Sequence, residues 1–295
     1  MAVSTRLLGS NGQYSRYPLA FFLDEMRRLG LRSLDFVPQV PHFFCGYRDH
    51  DDPAGLKAAL ARAGLRVAVL TPPSYRCSIT APAGEQRAAT LGYYKSCIQL
   101  AAELGCDRLV LDAAGACWDL KVEQLREHAA DTLCILCDAA EAAGVGLLLA
   151  PAMGEETPLI AEAPVLNTAR ELEAMLHRLR RPGLGVCLDT NVMSACGDTI
   201  PDWFDRLGDR TGLVRLCDGN YHGWRAWGEG VLPMERYLCQ LNEVGYGGEI
   251  SLRLPGERYL ERPSYPDERA LAALRRMSAA RAAHTMKTGG ALHAF

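Results

Sequence analysis

Residues 108–150 hold one complete unit of the chain: Arg108-Leu-Val-Leu-Asp112, a turn, Val122-Glu-Gln-Leu-Arg-Glu-His-Ala-Ala-Asp-Thr-Leu-Cys-Ile-Leu-Cys-Asp-Ala-Ala-Glu-Ala-Ala143, then Gly144 and Val145-Gly-Leu-Leu-Leu-Ala150. The middle segment places apolar side chains at helical spacing and ends at a glycine, the residue that tolerates the left-handed turn just past a helix. The two flanking runs are short and apolar without period-2 alternation. Strands buried on both faces read this way, and such strands belong to parallel sheets.

The same unit recurs in both directions. Strands are expected at Arg6–Gly9, Ser33–Val37, Arg66–Leu70, Arg108–Asp112, Val145–Leu149, Leu184–Leu188, Gly212–Cys217 and Glu249–Leu254. Helices are expected at Leu19–Leu29, Pro53–Ala63, Gly84–Leu104, Val122–Ala143, Ala169–Leu179 (capped by Asn167), Trp203–Leu207, Pro233–Val244 and Asp267–Ala283. Eight strand–helix pairs with one core predict a (β/α)8 barrel over residues 1–283, followed by 284–295 as a loose tail or oligomer contact. A doubly wound sheet would carry a glycine-rich phosphate turn after its first strand, and Gly9-Ser-Asn-Gly-Gln-Tyr-Ser-Arg16 has no such pattern.

Composition narrows the function classes. The 295 residues are 48% hydrophobic and carry a formal charge of −3, so nothing draws the chain to nucleic acid or an anionic membrane. No apolar run approaches the ~20 residues of a membrane span. Eleven cysteines cannot all pair, and several lie in apolar runs, which predicts a reduced, cytoplasmic protein.

A barrel of this kind works at the C-terminal ends of its strands. There the chain places Asp35, followed by His42, then Glu155 and Glu156 after strand five, and Asp189 after strand six. Arg215, His222, Trp224 and Trp227 follow on strand seven and its loop, and Arg253 lies on strand eight. Asp189, Glu156 and His222 are the candidate acid/base set. Asp35, His42, Arg215, Arg253, Trp224 and Trp227 are candidate ligand contacts. The two tryptophans are suited to a wall against an apolar sugar face or to a dimer interface.

In order and spacing, Arg28-Leu-Gly-Leu-Arg-Ser-Leu-Asp35, Pro41-His-Phe43, Thr71-Pro72, Ala101-Ala-Glu-Leu-Gly-Cys106, Leu188-Asp-Thr190 and Gly228-Glu-Gly230 resemble the xylose-isomerase-like barrels of the sugar isomerase/epimerase group, over about residues 4–277. Within it the chain is most similar to the fructoselysine 3-epimerases and, more loosely, the D-tagatose 3-epimerases. The resemblance implies a sugar-like ligand and, in the family, one divalent ion held by Glu, Asp, His and Glu after strands five to eight. The two glutamates would move a proton between faces of the sugar. The matching positions here are Ala150, Asp189, Arg215 and Arg253. The resemblance also matches Glu156 to a substrate-contacting glutamate and His42 to the family's Pro-His turn.

Two guanidiniums against Asp189 leave that layer one charge positive before Asp35 or Glu156 is counted. One arginine is therefore expected to pair with Asp189 where the ion would sit, the other with a second carboxylate or an anionic ligand. No divalent metal and no other cofactor is expected. The readings that remain are a metal-independent enzyme on a sugar or sugar acid, a non-catalytic partner of an active barrel, and an ordinary metal epimerase in another register. A homodimer, or a hetero-oligomer with a paralogous barrel, fits the first two.

Overall fold

A computed structural model of the chain describes residues 6–74, 77–115, 118–154, 161–254 and 258–288. Eight parallel strands close into a barrel: β1 (Leu7–Ser10), β2 (Ser33–Phe36), β3 (Arg66–Leu70), β4 (Arg108–Asp112), β5 (Gly146–Ala150), β6 (Leu184–Asp189), β7 (Thr211–Arg215) and, last in the ring, β10 (Glu249–Ser251). Between β7 and β10 lies an antiparallel hairpin, β8 (Asp218–Asn220) and β9 (Gly223–Arg225). The ring closes where β10 pairs with β1, Leu7 facing Ile250 and Leu8 facing Ser251, so the barrel sheet has no open edge.

Helices α1 (Leu19–Leu29), α2 (Pro53–Ala63), α3 (Glu85–Glu103), α4 (Val122–Ala143), α5 (Ala169–Leu179), α6 (Thr190–Ala195), α7 (Ile200–Leu207), α8 (Met234–Glu243) and α9 (Tyr265–Thr288) follow the strands. Gly144 ends its helix as expected, and Gly30 and Gly64 end theirs in the same way: the three adopt φ of 69°, 79° and 65°, where a side chain is strained. Thr168 rather than Asn167 caps α5. Its hydroxyl accepts from Glu171 N, while Asn167 Nδ2 donates to the carbonyls of Ala152 and Ala163. The last helix continues past residue 283 to Thr288.

Two apolar regions hold the fold together. The larger lies between barrel and helices, with Phe22, Leu34, Leu70, Tyr93, Leu133 and Trp203 among its buried members. The smaller fills the lumen with Leu8, Val69, Val110, Leu148, Cys187 and Leu213, alongside Ala68 and Ala150. The lumen is a packed core, as barrels of eight strands require. Above it, at the C-terminal ends of the strands, comes a polar layer. Among the described residues no helix is long and apolar enough to cross a membrane.

Candidate active site

The polar layer is organised by Arg215. Its guanidinium rises from the end of β7 into the lumen, where the side chain is 2% exposed. Nη2 donates to Thr71 Oγ1 at 2.9 Å, Nε lies 3.6 Å from Asp35 Oδ2, and Nη1 lies 3.7 Å from Asp112 Oδ1. Asp35 is itself closed in. Thr71 Oγ1 donates to Oδ1 at 2.5 Å and Ser251 Oγ donates to Oδ2 at 2.7 Å. Burial works against the Arg215 charge, but Asp35, Asp112 and Asp189 outweigh it and hold the guanidinium protonated.

One of the two arginines was expected to pair with Asp189, but among the described residues Arg215 pairs with Asp35 and Asp112 and neither arginine forms an ion pair with Asp189. Asp189 Oδ1 caps α6, accepting from Asn191 N at 3.0 Å and Val192 N at 3.1 Å, and it also takes the Cys217 thiol at 3.4 Å. Burial raises the Cys217 thiol well above its usual range, which keeps it a neutral donor. A carboxylate at a helix N-terminus already faces three donors and gains little from a guanidinium.

Two residues that the sequence reading did not single out complete the mouth. Asp112 ends β4, with its side chain 25% exposed. Glu162 reaches the mouth from the segment after β5. Its peptide N–H donates to Met153 O at 2.9 Å, its carbonyl accepts from Gly115 N at 3.1 Å, and its Oε2 accepts from Met153 N at 3.1 Å. Glu162 is exposed, and its carboxyl lies within electrostatic reach of Asp112, Asp189 and Arg253. Burial raises its carboxyl, the Met153 N–H opposes this, Asp112 and Asp189 push it further up, and Arg253 draws it down. The balance leaves it raised from its ordinary value. Arg253 is half-buried. Its backbone N–H donates to Ser251 Oγ, while its Nε is shielded from water and meets no partner among the described residues. With Asp35, Asp112 and Glu162 counted beside Asp189, four carboxyl groups stand with Arg215 and Arg253, so acids outnumber guanidiniums in the layer.

The remaining candidates are scattered. Both His42 ring nitrogens are engaged within the scaffold: Asn11 Nδ2 donates to Nδ1 at 2.8 Å, which leaves Nε2–H to donate to Tyr17 O at 2.9 Å. Burial lowers the pKa of this imidazole, so it is neutral. His222 stands exposed at the tip of the hairpin beside Tyr221, with ring centroids 4.1 Å apart. Trp224 is half-buried on β9, whereas Trp227 belongs to the core. Glu156 lies outside the described residues.

The hairpin and the loop after it hang on one carboxylate. Asp218 Oδ1 accepts from Gly219 N and Leu232 N, and Oδ2 from Gly228 N and Gly230 N, at 2.7 to 3.1 Å. A Cβ on Gly219 would fall 2.2 Å from Asn191 Oδ1. Trp224 pairs across the hairpin with Gly219 and so shares that face, toward the start of α6. A Cβ on Gly230 would land 2.0 Å from Asp218 Oδ1 and 2.4 Å from Gly219 O. Gly230→Ala is therefore expected to lower stability by about 1–3 kcal/mol in urea unfolding, the range of overpacking.

A divalent ion needs several convergent oxygen or imidazole donors. Ala150, Asp189, Arg215 and Arg253 offer one carboxylate already committed to a helix cap, two donor-only guanidiniums and a methyl group. Among the described residues no group of three or more His, Cys, Asp or Glu is arranged to hold an ion. These residues do not fit the group.

Residues 23–280 match the model of the family described as xylose isomerase-like TIM barrel. Fructoselysine 3-epimerase from Shigella flexneri is 22% identical over 266 residues, spanning 89% of this chain and 94% of that protein. Among solved structures, 3-keto-D-glucoside 4-epimerase from E. coli superposes with a TM-score of 0.73 at 17% identity, covering 92% of this chain and 99% of the other. L-ribulose 3-epimerase gives 0.73 at 18% identity, covering 99% of both. At these identities the structures speak for the fold alone.

Proposed function

The chain belongs to the xylose isomerase-like TIM barrel family, and on that footing we propose that its mouth binds a sugar or sugar acid and moves a proton on it without a divalent ion. The observation that carries this reading is Glu162: an exposed carboxyl beside Asp112 and Asp189, raised from its ordinary value and opposed by the guanidinium of Arg253. A general base works best with a pKa near the operating pH. Glu162 takes the proton from the carbon beside the sugar carbonyl, and Arg253 donates to the oxygen on which charge develops. Burial, and after it Asp112 and Asp189, raises the Glu162 carboxyl. Arg215 and Asp35 neutralise each other beneath, so the floor of the site stays rigid. Trp224 lines the ligand from the hairpin. The proposal extends to cytoplasmic residence and a homodimer or paired barrel.

Hydrogen–deuterium exchange tests it. The chain is incubated in D2O with EDTA and a panel of ketoses and sugar acids, and the carbon-bound proton beside the carbonyl is followed by NMR. Exchange is expected to persist in EDTA and to fall by at least ~10²-fold in Glu162→Gln, the usual contribution of a general base. Arg253→Ala is expected to lower it as well. Exchange that vanishes with EDTA and returns with Mn²⁺ defeats the metal-free reading.

The closed Arg215–Asp35 network favours one second reading, a non-catalytic partner of an active barrel. It predicts no exchange with any member of the panel and co-purification with a paralogue.

A further inference from the structure

Outside the mouth, the described cysteines are free thiols, and two of them touch. Cys45 sits in the loop between β2 and α2, and Cys97 lies 52 residues on, in the middle of α3. Their sulfurs are 3.6 Å apart, and both residues are buried. The loop is seated on the helix there. Cys45 bridges to His50, Asp51 N donates to Phe44 O, and Gly46 N donates to Asp49 O, which makes 44–51 a small closed turn. A Cβ on Gly92 of α3 would stand 3.2 Å from Tyr47 O, so the missing side chain lets the turn approach. Phe44 and Tyr47, on either side of Cys45 in the turn, are exposed.

We infer that Cys45 and Cys97 form an oxidative modification site, a dithiol that a hydroperoxide converts to a disulfide fastening the 44–51 turn to α3. This is independent of the proposed sugar chemistry. The two thiols are unlike: contact with Cys97, opposed by burial and helped by Ser96 Oγ and His50, lowers the Cys45 thiol, while burial and contact with Cys45 raise Cys97. Cys45, on the turn and beside Ser96 and His50, is assigned the attack and Cys97 the resolving step. Cys45 sulfur attacks one oxygen of hydrogen peroxide; the S–O bond forms as the O–O bond breaks, and the leaving hydroxide takes up the proton released by the Cys45 thiol, giving a sulfenic acid and one water. Cys97 sulfur then attacks Cys45 sulfur; the S–S bond forms as the S–O bond breaks, and the hydroxide leaves with the Cys97 proton as a second water. Two thiols lose two electrons to one peroxide.

The test uses the full chain and hydrogen peroxide. After exposure the protein is denatured, alkylated and digested, and the peptides are mapped by mass. The expected product is one cross-linked pair, the Cys45 peptide joined to the Cys97 peptide and lighter by two hydrogens, reversed by dithiothreitol. Cys45→Ser is expected to abolish it. In the oxidised wild type, proteolysis within 44–51 is expected to slow several-fold. Should both cysteines remain fully alkylatable at a peroxide dose that has oxidised exposed Cys239, the inference is overturned. The map is made on the wild-type chain, so an unfolded variant cannot obscure it.

Discussion

Arg215→Met is expected to cost the fold about 3–5 kcal/mol, the range measured when one partner of a buried ion pair is removed. The reason lies in what stays behind. Asp35 is fully buried and would keep only the hydroxyls of Thr71 and Ser251, and Asp112 would lose its one ion-pair partner among the described residues. Thr71 Oγ1 would also lose the donor that sets its hydrogen toward Asp35. Two carboxyls facing one lumen without a counter-charge are disfavoured twice, by desolvation and by each other. Methionine restores most of the volume, so a cavity contributes little to the loss. Adding Asp35→Asn to Arg215→Met should recover part of it, because the neutral amide needs no guanidinium. Urea unfolding of the two single variants and the double variant checks this. Additive losses would show that Arg215 acts through packing alone and would remove the electrostatic account of the lumen.

That network shows which part of the molecule was legible in the sequence. Elements made by neighbouring residues came through: the strands at 66–70 and 108–112 and the helices at 19–29, 53–63, 122–143 and 169–179 match the structure end for end. The β8–β9 hairpin did not, because its pairing rests on Asp218 gathering four amides from a loop with no periodicity. For Asp112 a signal was present. Leu34-Asp35 lies one residue short of the end of the second strand, Leu111-Asp112 and Leu188-Asp189 end the fourth and sixth, and alternate strands of such a barrel contribute to shared interior layers. Reading the three as one pattern would have made the acid surplus visible and placed Asp35 within reach of an arginine from β7. Glu162 left no such trace. It reaches the mouth only because residues 153 and 162 exchange backbone and side-chain hydrogen bonds. His42 shows the converse: its Pro-His turn was conspicuous, yet both ring nitrogens serve Asn11 and Tyr17.

The second large effect concerns pH and lies away from the mouth. Asp267, in the first turn of α9, is fully buried. Gln13 Nε2 donates to both its oxygens at 3.2 Å and Tyr14 OH donates to Oδ2 at 3.0 Å. Arg28 is engaged with Glu25 and Glu268, and no described residue forms an ion pair with Asp267. Burial therefore prevails over the two donors, and the carboxyl is pushed up to about 8 from an ordinary 3.8. The helix dipole favours the ionised form by only about 0.3–1 kcal/mol, less than one pKa unit, and does not reverse this. Between those two values the folded chain keeps a proton that the unfolded chain has released. The contribution is whole below the ordinary carboxylate range and drains away as pH rises through about 8. Relative to Asp267→Asn, wild-type stability should therefore fall by up to about 1.4 kcal/mol per pH unit between about pH 5 and 7. The amide keeps the Tyr14 bond and cannot ionise, so the variant's own slope reports every other titrating group. Comparing urea midpoints of the two proteins across that range isolates Asp267. If the two profiles ran parallel, the buried carboxyl would have to be ionised throughout, with a partner for its charge that Gln13 and Tyr14 do not supply.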